Sequence, residues 1–209
     1  MCIRDRGDQV NKEFIEKRYE FNYKHLLMKE TRQIGEQQKQ AGLDQVIRYW
    51  LNNKDLIAKV IETEVDVTVE KDSYILNGAI DLVLSDGEKF EVLDFKSQTR
   101  PPADSPMIES YYKQLCIYAH ILEQRHGKKP NRLVIYWTGE KDKESAIMAF
   151  PYNPDDVASA MDYFESVVKE IQVQNFEVAS PPDKKVCAEC DLRTMCRADG
   201  IIEQKVSSR

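Results

Sequence analysis

No run of apolar residues in this 209-residue chain approaches the roughly 18 needed to cross a bilayer as a helix, and the N-terminus lacks the apolar core of a signal peptide. Neither membrane insertion nor secretion is expected, and the expected location is the cytoplasm. Glycine and proline are sparse at eight each, which excludes collagen-like, mucin-like and disordered readings. Cysteine is sparse too, with three of the five residues crowded between positions 187 and 196. That is too few and too uneven for a disulfide framework, and in a reducing compartment such a cluster points to metal. Positive charge is not in excess: 36 acidic against 30 basic residues leave a net charge of −6. Taken alone, this argues against a surface that attracts nucleic acid everywhere. What remains is a globular chain, 42% hydrophobic and 32% charged, long enough for one good-sized core or two small ones.

The periodicity gives the order of elements. Over residues 9–53, Phe14, Tyr19, Leu26, Leu27, Ile34, Leu43, Val46, Ile47 and Trp50 recur at loose three-to-four spacing among charged residues, the pattern of two amphipathic helices. Asn52-Asn53 ends the second. From Glu64 the period becomes two, and strands are expected from there, over 74–84 and over 89–96, with Ser85-Asp86-Gly87-Glu88 supplying the turn between the last two. Three prolines make 97–106 a loop. A helix over 107–125, closed by His126-Gly127, precedes strands over 132–138 and 145–150. A last long helix runs from Pro154 to about Gln174, with Asn153 as its cap. The expected organisation is a leader over 1–8, an N-terminal helical part over 9–53, a core over 54–178, a cysteine-cluster segment over 179–198 and a frayed tail over 199–209. The leader has neither period nor start signal, so the chain is expected to be a fragment whose beginning lies upstream.

Chemistry concentrates on the hairpin. With Asp86-Gly87 as a two-residue turn, Asp81 faces Val92 and Ala79 faces Asp94, so Asp81, Asp94 and Lys96 project from one side. The two carboxylates are then diagonal neighbours. Ala79, Val83, Phe90 and Val92 share that face, so the charges sit among apolar side chains where an unpaired carboxylate is costly. A hard divalent cation between the carboxylates relieves their repulsion, and the Phe95 carbonyl is a further oxygen ligand within reach. An ammonium at Lys96 can orient an attacking water or offset charge on a phosphoryl oxygen, so metal-assisted phosphodiester hydrolysis fits these parts. A bland alternative, a surface ion pair on a solvated strand, accounts for Asp94 and Lys96 taken singly. Gln114 and Tyr118, at i and i+4, share a helix face with Tyr111 one turn earlier.

In order and spacing, Gly78-x-x-Asp81, Asp94-x-Lys96, Gln114-x-x-x-Tyr118 and Cys187-x2-Cys190-x5-Cys196 resemble the RecB-like branch of the PD-(D/E)xK nuclease superfamily, in its iron-sulfur subgroup. The stretch 74–118 and the Tyr136-Trp137-Thr138-Gly139 strand end look most like the C-terminal nuclease domain of UvrD/PcrA-type helicases. The resemblance implies a restriction-endonuclease-like α/β fold, a mixed central sheet flanked by helices, followed by the cysteine-cluster segment. It implies Asp81 and Asp94 as Mg2+ or Mn2+ ligands, Lys96 as the catalytic lysine, Gln114 and Tyr118 as residues that position DNA or that lysine, and Glu64 as an auxiliary acid.

Two departures accompany it. No residue matches the family's metal-binding His before the first strand, His25 lying in what looks like the stretch after that helix. The fourth cluster thiolate has no match either, Cys2 being the only N-terminal cysteine. From spacing alone Cys187, Cys190 and Cys196 suit zinc or iron-sulfur ligation, with zinc the commoner; the resemblance places a [4Fe-4S] cluster first. Cys116 reads as a packed core thiol. The expected function is a metal-dependent deoxyribonuclease, an exonuclease working on DNA with a helicase domain or subunit in repair, recombination or end processing. The alternatives are a catalytically incomplete DNA-binding or docking module of the same fold, and a zinc-stabilised scaffold.

Overall fold

The structure, a computed structural model, describes residues 10–29, 35–175, 187, 190, 191 and 193–198. The expected leader, Cys2, the linker around Pro181-Pro182 and the tail after Asp199 lie outside the described residues. The elements are α1 (Lys12–Lys29), α2 (Glu36–Asn52), α3 (Lys54–Ile57), β1 (Val60–Glu70), β2 (Ile75–Ser85), β3 (Phe90–Lys96), α4 (Pro106–His126), β4 (Arg132–Trp137), α5 (Lys143–Ala146), β5 (Ile147–Pro151), α6 (Pro154–Gln172) and α7 (Arg193–Ala198). Two compact units divide at Asp162/Tyr163; the first holds the sheet, and the second the rest of α6 and α7. Among the described residues no helix is long and apolar enough to cross a membrane.

The sheet has spatial order β1-β2-β3-β4-β5. All neighbours run antiparallel except β3 and β4, which are parallel. A parallel pair needs a crossover, and α4 supplies it. Its start is fixed by Ser105, whose Oγ accepts the Met107 N–H, and by Pro106 in the first turn, where a missing N–H costs nothing. Its end is fixed by Gly127, at φ +65°, a left-handed conformation that glycine adopts without a Cβ penalty.

Each face of the sheet has its own cover. Leu82, Leu84, Leu93, Val134, Tyr136 and Ala146 form a core on one face, with Tyr49 of α2 and Leu56 of α3 packed against it. Tyr49 meets Phe95 and Tyr136 edge-on at 5.0 and 4.9 Å. Asn53, fully buried, is held because its Nδ2 donates to Tyr136 Oη (2.6 Å) and to the Tyr49 carbonyl (2.8 Å). On the other face α4 lies against β1, β3 and β4, presenting the buried Ile108, Leu115, Ala119 and Leu122 at helical spacing. The run Leu133 to Trp137 is buried on both faces, as expected of a central strand.

Two short elements, α3 and α5, carry no periodic signal because a single turn is too short to show one. α5 is local chemistry instead: Asp142 caps it by accepting the Ser145 N–H at 2.8 Å. It displaces the start of β5 from the expected 145 to Ile147.

Candidate active site

The β2–β3 turn differs from the expected two-residue form, and the difference strengthens the site. Ser85 pairs with Phe90 and Leu82 with Leu93, so the connection is a four-residue loop over 86–89. Asp86 builds it, its Oδ1 accepting the N–H groups of Lys89 (2.9 Å) and Glu88 (3.3 Å). Two extra loop residues shift the register by two, which preserves the faces. Continued one step, this register sets Asp81 opposite Asp94 instead of diagonal to it. The ladder stops at Leu82–Leu93, however, and the Asp81 carboxylate takes over: its Oδ2 accepts the Phe95 N–H at 2.8 Å. The strands therefore part where the two carboxylates stand.

Asp94 is 4% exposed and Asp81 half-buried. Burial pushes the Asp94 carboxyl above its ordinary value, the Lys96 ammonium pulls it back, and Asp81 adds to the rise. Lys96 Nζ lies 2.6 Å from Asp94 Oδ2 and donates to Gln114 Oε1 at 3.0 Å. Gln114 Nε2 in turn donates to Tyr118 Oη at 2.7 Å. Burial raises the Tyr118 hydroxyl above its usual value, so it stays protonated. All five residues expected to be catalytic thus converge, in a chain running Asp94, Lys96, Gln114, Tyr118, with Asp81 tied to the Phe95 backbone.

Other residues surround this chain, among them Tyr111, expected on the same helix face, and Gln45 and Arg48, which were not anticipated. Lys96 Nζ lies over the Tyr111 ring at 4.2 Å from its centroid, and the Trp137 ring centroid is 5.8 Å from that of Tyr111. The Lys96 carbonyl accepts the Thr138 N–H at 2.9 Å, and Thr138 Oγ1 donates to Gln45 Oε1 at 2.8 Å. Gln45 Nε2 reaches the Ser97 carbonyl (3.3 Å) and Arg48 Nη2 the Thr138 carbonyl (3.0 Å). Helix α2 therefore staples the ends of β3 and β4. Nothing in the sequence separates Gln45 and Arg48 from the other polar residues of an amphipathic helix. Glu64 sits between the pairs Thr63–Leu82 and Val65–Ile80, exposed and at φ +46°, the left-handed region uncommon for a residue with a side chain.

Among the described residues no three His, Cys, Asp or Glu side chains gather as a metal centre, whether around Asp81 or among the cysteines. Cys187 and Cys196 are half-buried and Cys190 exposed, all as free thiols. The carboxylate pair nevertheless fits a hard divalent cation. Asp94 Oδ2 is buried and accepts no hydrogen bond of good geometry, only the Lys96 ion pair, so a desolvated anionic oxygen is left with spare capacity.

The chain's fold is similar to that of a solved structure described as "Putative exonuclease" from Eubacterium rectale, at 16% identity and a TM-score of 0.56, over 96% of this chain and 79% of that one. It is also similar to SSO0001, at 20% identity and a TM-score of 0.47, over 87% of this chain and 79% of that one. No curated protein matches. The PD-(D/E)XK nuclease superfamily profile matches residues 5–197, a stretch that takes in the whole sheet, both acidic positions and the lysine that follows them. On that match the chain belongs to the PD-(D/E)XK nuclease superfamily.

Proposed function

We propose that the protein is a metal-dependent deoxyribonuclease, an exonuclease module that cleaves phosphodiester bonds of DNA. The observation that carries this is the parting of β2 and β3 at Asp81 and Asp94, with Lys96 two residues on and held by Gln114. Asp81, Asp94 and the Phe95 carbonyl would hold Mg2+ or Mn2+, which supplies the Lewis acidity that polarises the scissile phosphate. The rest is the work of the chain itself. Lys96 keeps a fixed positive charge beside the carboxylates, where it offsets charge developing on a phosphoryl oxygen. Gln114 fixes that ammonium through Oε1 and fixes Tyr118 through Nε2, leaving the Tyr118 O–H free to donate to the strand. Trp137, fully buried, packs against the Tyr111 ring beside the site.

We further propose that a helicase domain or subunit brings the DNA, for end processing, recombination or repair. The acidic balance of −6 supports this, because a chain of that charge holds DNA weakly by itself. Cys187, Cys190 and Cys196 are proposed as three of the four thiolates of a [4Fe-4S] cluster, their spacing also suiting zinc. Protein purified without oxygen should be brown, with broad absorption near ~400 nm; a colourless preparation with stoichiometric zinc would replace the cluster by the alternative.

The deciding experiment compares Asp94→Ala and Lys96→Ala with the parent protein on labelled DNA, with circular dichroism as the fold control. Mg2+-dependent cleavage should vanish in both. Unchanged cleavage would sink the assignment, and a parent protein that binds DNA without binding Mn2+ would favour the docking module.

A further inference from the structure

Lys96 is the one charged group of the site with three partners, and one of them is neither ionic nor polar. Its Nζ touches Asp94 Oδ2 at 2.6 Å, Gln114 Oε1 at 3.0 Å and the face of Tyr111, 4.2 Å from the ring centroid. A cation over an aromatic face is held by the negative π surface, the more strongly where water is kept out. Water is kept out here: the Lys96 side chain is 16% exposed and Trp137, tilted 58° to the Tyr111 ring at 5.8 Å, is not exposed at all. Tyr111, Gln114 and Tyr118 lie at i, i+3 and i+7 on α4, so one helix face carries the whole seat.

We propose that Tyr111 is a positioning residue, whose ring face holds the Lys96 ammonium in place when a divalent cation draws Asp94 away from it. The inference rests on the nuclease reading above. Two acceptors, Asp94 and Gln114, hold the lysine while Asp94 is unoccupied. Once Asp94 serves the cation, Gln114 alone leaves a long flexible side chain with one neutral hydrogen bond, and a misplacement of about 1 Å is enough to cost roughly a hundredfold in rate. The ring supplies the second contact. Because the contact is with the face, the role belongs to the aromatic ring and not to the hydroxyl.

The test uses Tyr111→Phe and Tyr111→Leu in the full chain. Leucine keeps most of the volume and removes the π face; phenylalanine keeps the face and removes the hydroxyl. At saturating Mg2+, kcat for DNA cleavage should fall by about 2- to 30-fold in Tyr111→Leu, with KM within about twofold, and return to within about twofold of the parent in Tyr111→Phe. A second readout needs no activity: acetylation of Lys96 by acetic anhydride, followed by peptide mass spectrometry, should be several-fold faster in Tyr111→Leu than in Tyr111→Phe. Equal behaviour of the two variants, whether both intact or both impaired, overturns the proposal, as does a loss confined to KM. If Tyr111→Leu folds poorly by thermal melting, Tyr111→Met carries the same expectation. Asp94→Ala is measured alongside. Cleavage surviving in it would mean that the nuclease reading has failed, whereas cleavage lost in it but unaltered in Tyr111→Leu would refute only the role of Tyr111.

Discussion

Lys96 Nζ stands 2.6 Å from Asp94 Oδ2, on an oxygen that accepts nothing else among the described residues. The ammonium pairs with the same buried carboxylate that the proposed divalent cation would use, so lysine and metal would draw on one buried charge. Removing the lysine should therefore tighten metal binding while it destroys catalysis. Lys96→Met is expected to raise Mn2+ affinity by roughly tenfold, a conservative share of the Coulomb energy between unit charges a few ångströms apart. Isothermal titration checks this; a weaker or unchanged affinity would show that the ion pair and the metal do not share Asp94.

Asp81 has two jobs that substitution can separate. Its Oδ2 accepts the Phe95 N–H at 2.8 Å, at the point where the backbone ladder has ended. Asp81→Asn keeps an acceptor and should melt near the parent. Asp81→Ala strands the N–H and should lose about 1–3 kcal/mol. Both should lack cleavage, so chemical denaturation and a nuclease assay together distinguish the structural from the chemical role.

Gly139 is fixed by close approach. A Cβ placed there would lie 2.6 Å from the Gln98 carbonyl carbon and the Thr99 nitrogen, both backbone atoms that cannot swing aside. Gly139→Ala should push away the segment that follows Lys96, destabilising the fold by about 1–3 kcal/mol and lowering kcat. Melting curves and single-turnover cleavage test it, and an unchanged rate would mean that Lys96 does not depend on the segment behind it.

Cys116 is 1% exposed, and burial pushes its thiol up from about 9 to about 11. A group that holds its proton more tightly in the folded state stabilises the fold fully below pH 9 and loses that contribution as pH rises from 9 to 11. The decline should be about 2–3 kcal/mol. Cys116→Val should flatten it in urea melts taken across that range. In protein stripped of any bound metal or cluster, iodoacetamide at pH 8 should label the exposed Cys190 before the buried Cys116.

The order of strands and helices was legible where the period is clean: Val65 to Glu70 alternates, and Ile108, Leu115, Ala119 and Leu122 mark one face of α4. The same-side placement of Asp81, Asp94 and Lys96 was legible too, since strand alternation needs only the parity of the turn. Its exact length was not, because Asp86 can cap a four-residue loop as readily as it can start a two-residue one. Tyr111 was legible as a member of the Gln114 and Tyr118 face but not as a partner of Lys96, and Gln45 and Arg48 were invisible altogether. Their roles depend on which loop or strand end a helix face meets, and periodicity says only that a face exists.

The staple that Gln45 makes between Ser97 and Thr138 bears on how the molecule folds. Asp81, Asp94, Lys96, Gln114 and Tyr118 lie in one uninterrupted stretch, a hairpin and the first half of a crossover, so bringing them together closes only short loops. Gln45 comes from far upstream, and its contact with Thr138 joins residues 93 positions apart. The cluster of charges can thus be gathered early, while its final alignment waits for the N-terminal helix to dock. Mutations in α2 should accordingly accelerate unfolding more than they slow refolding.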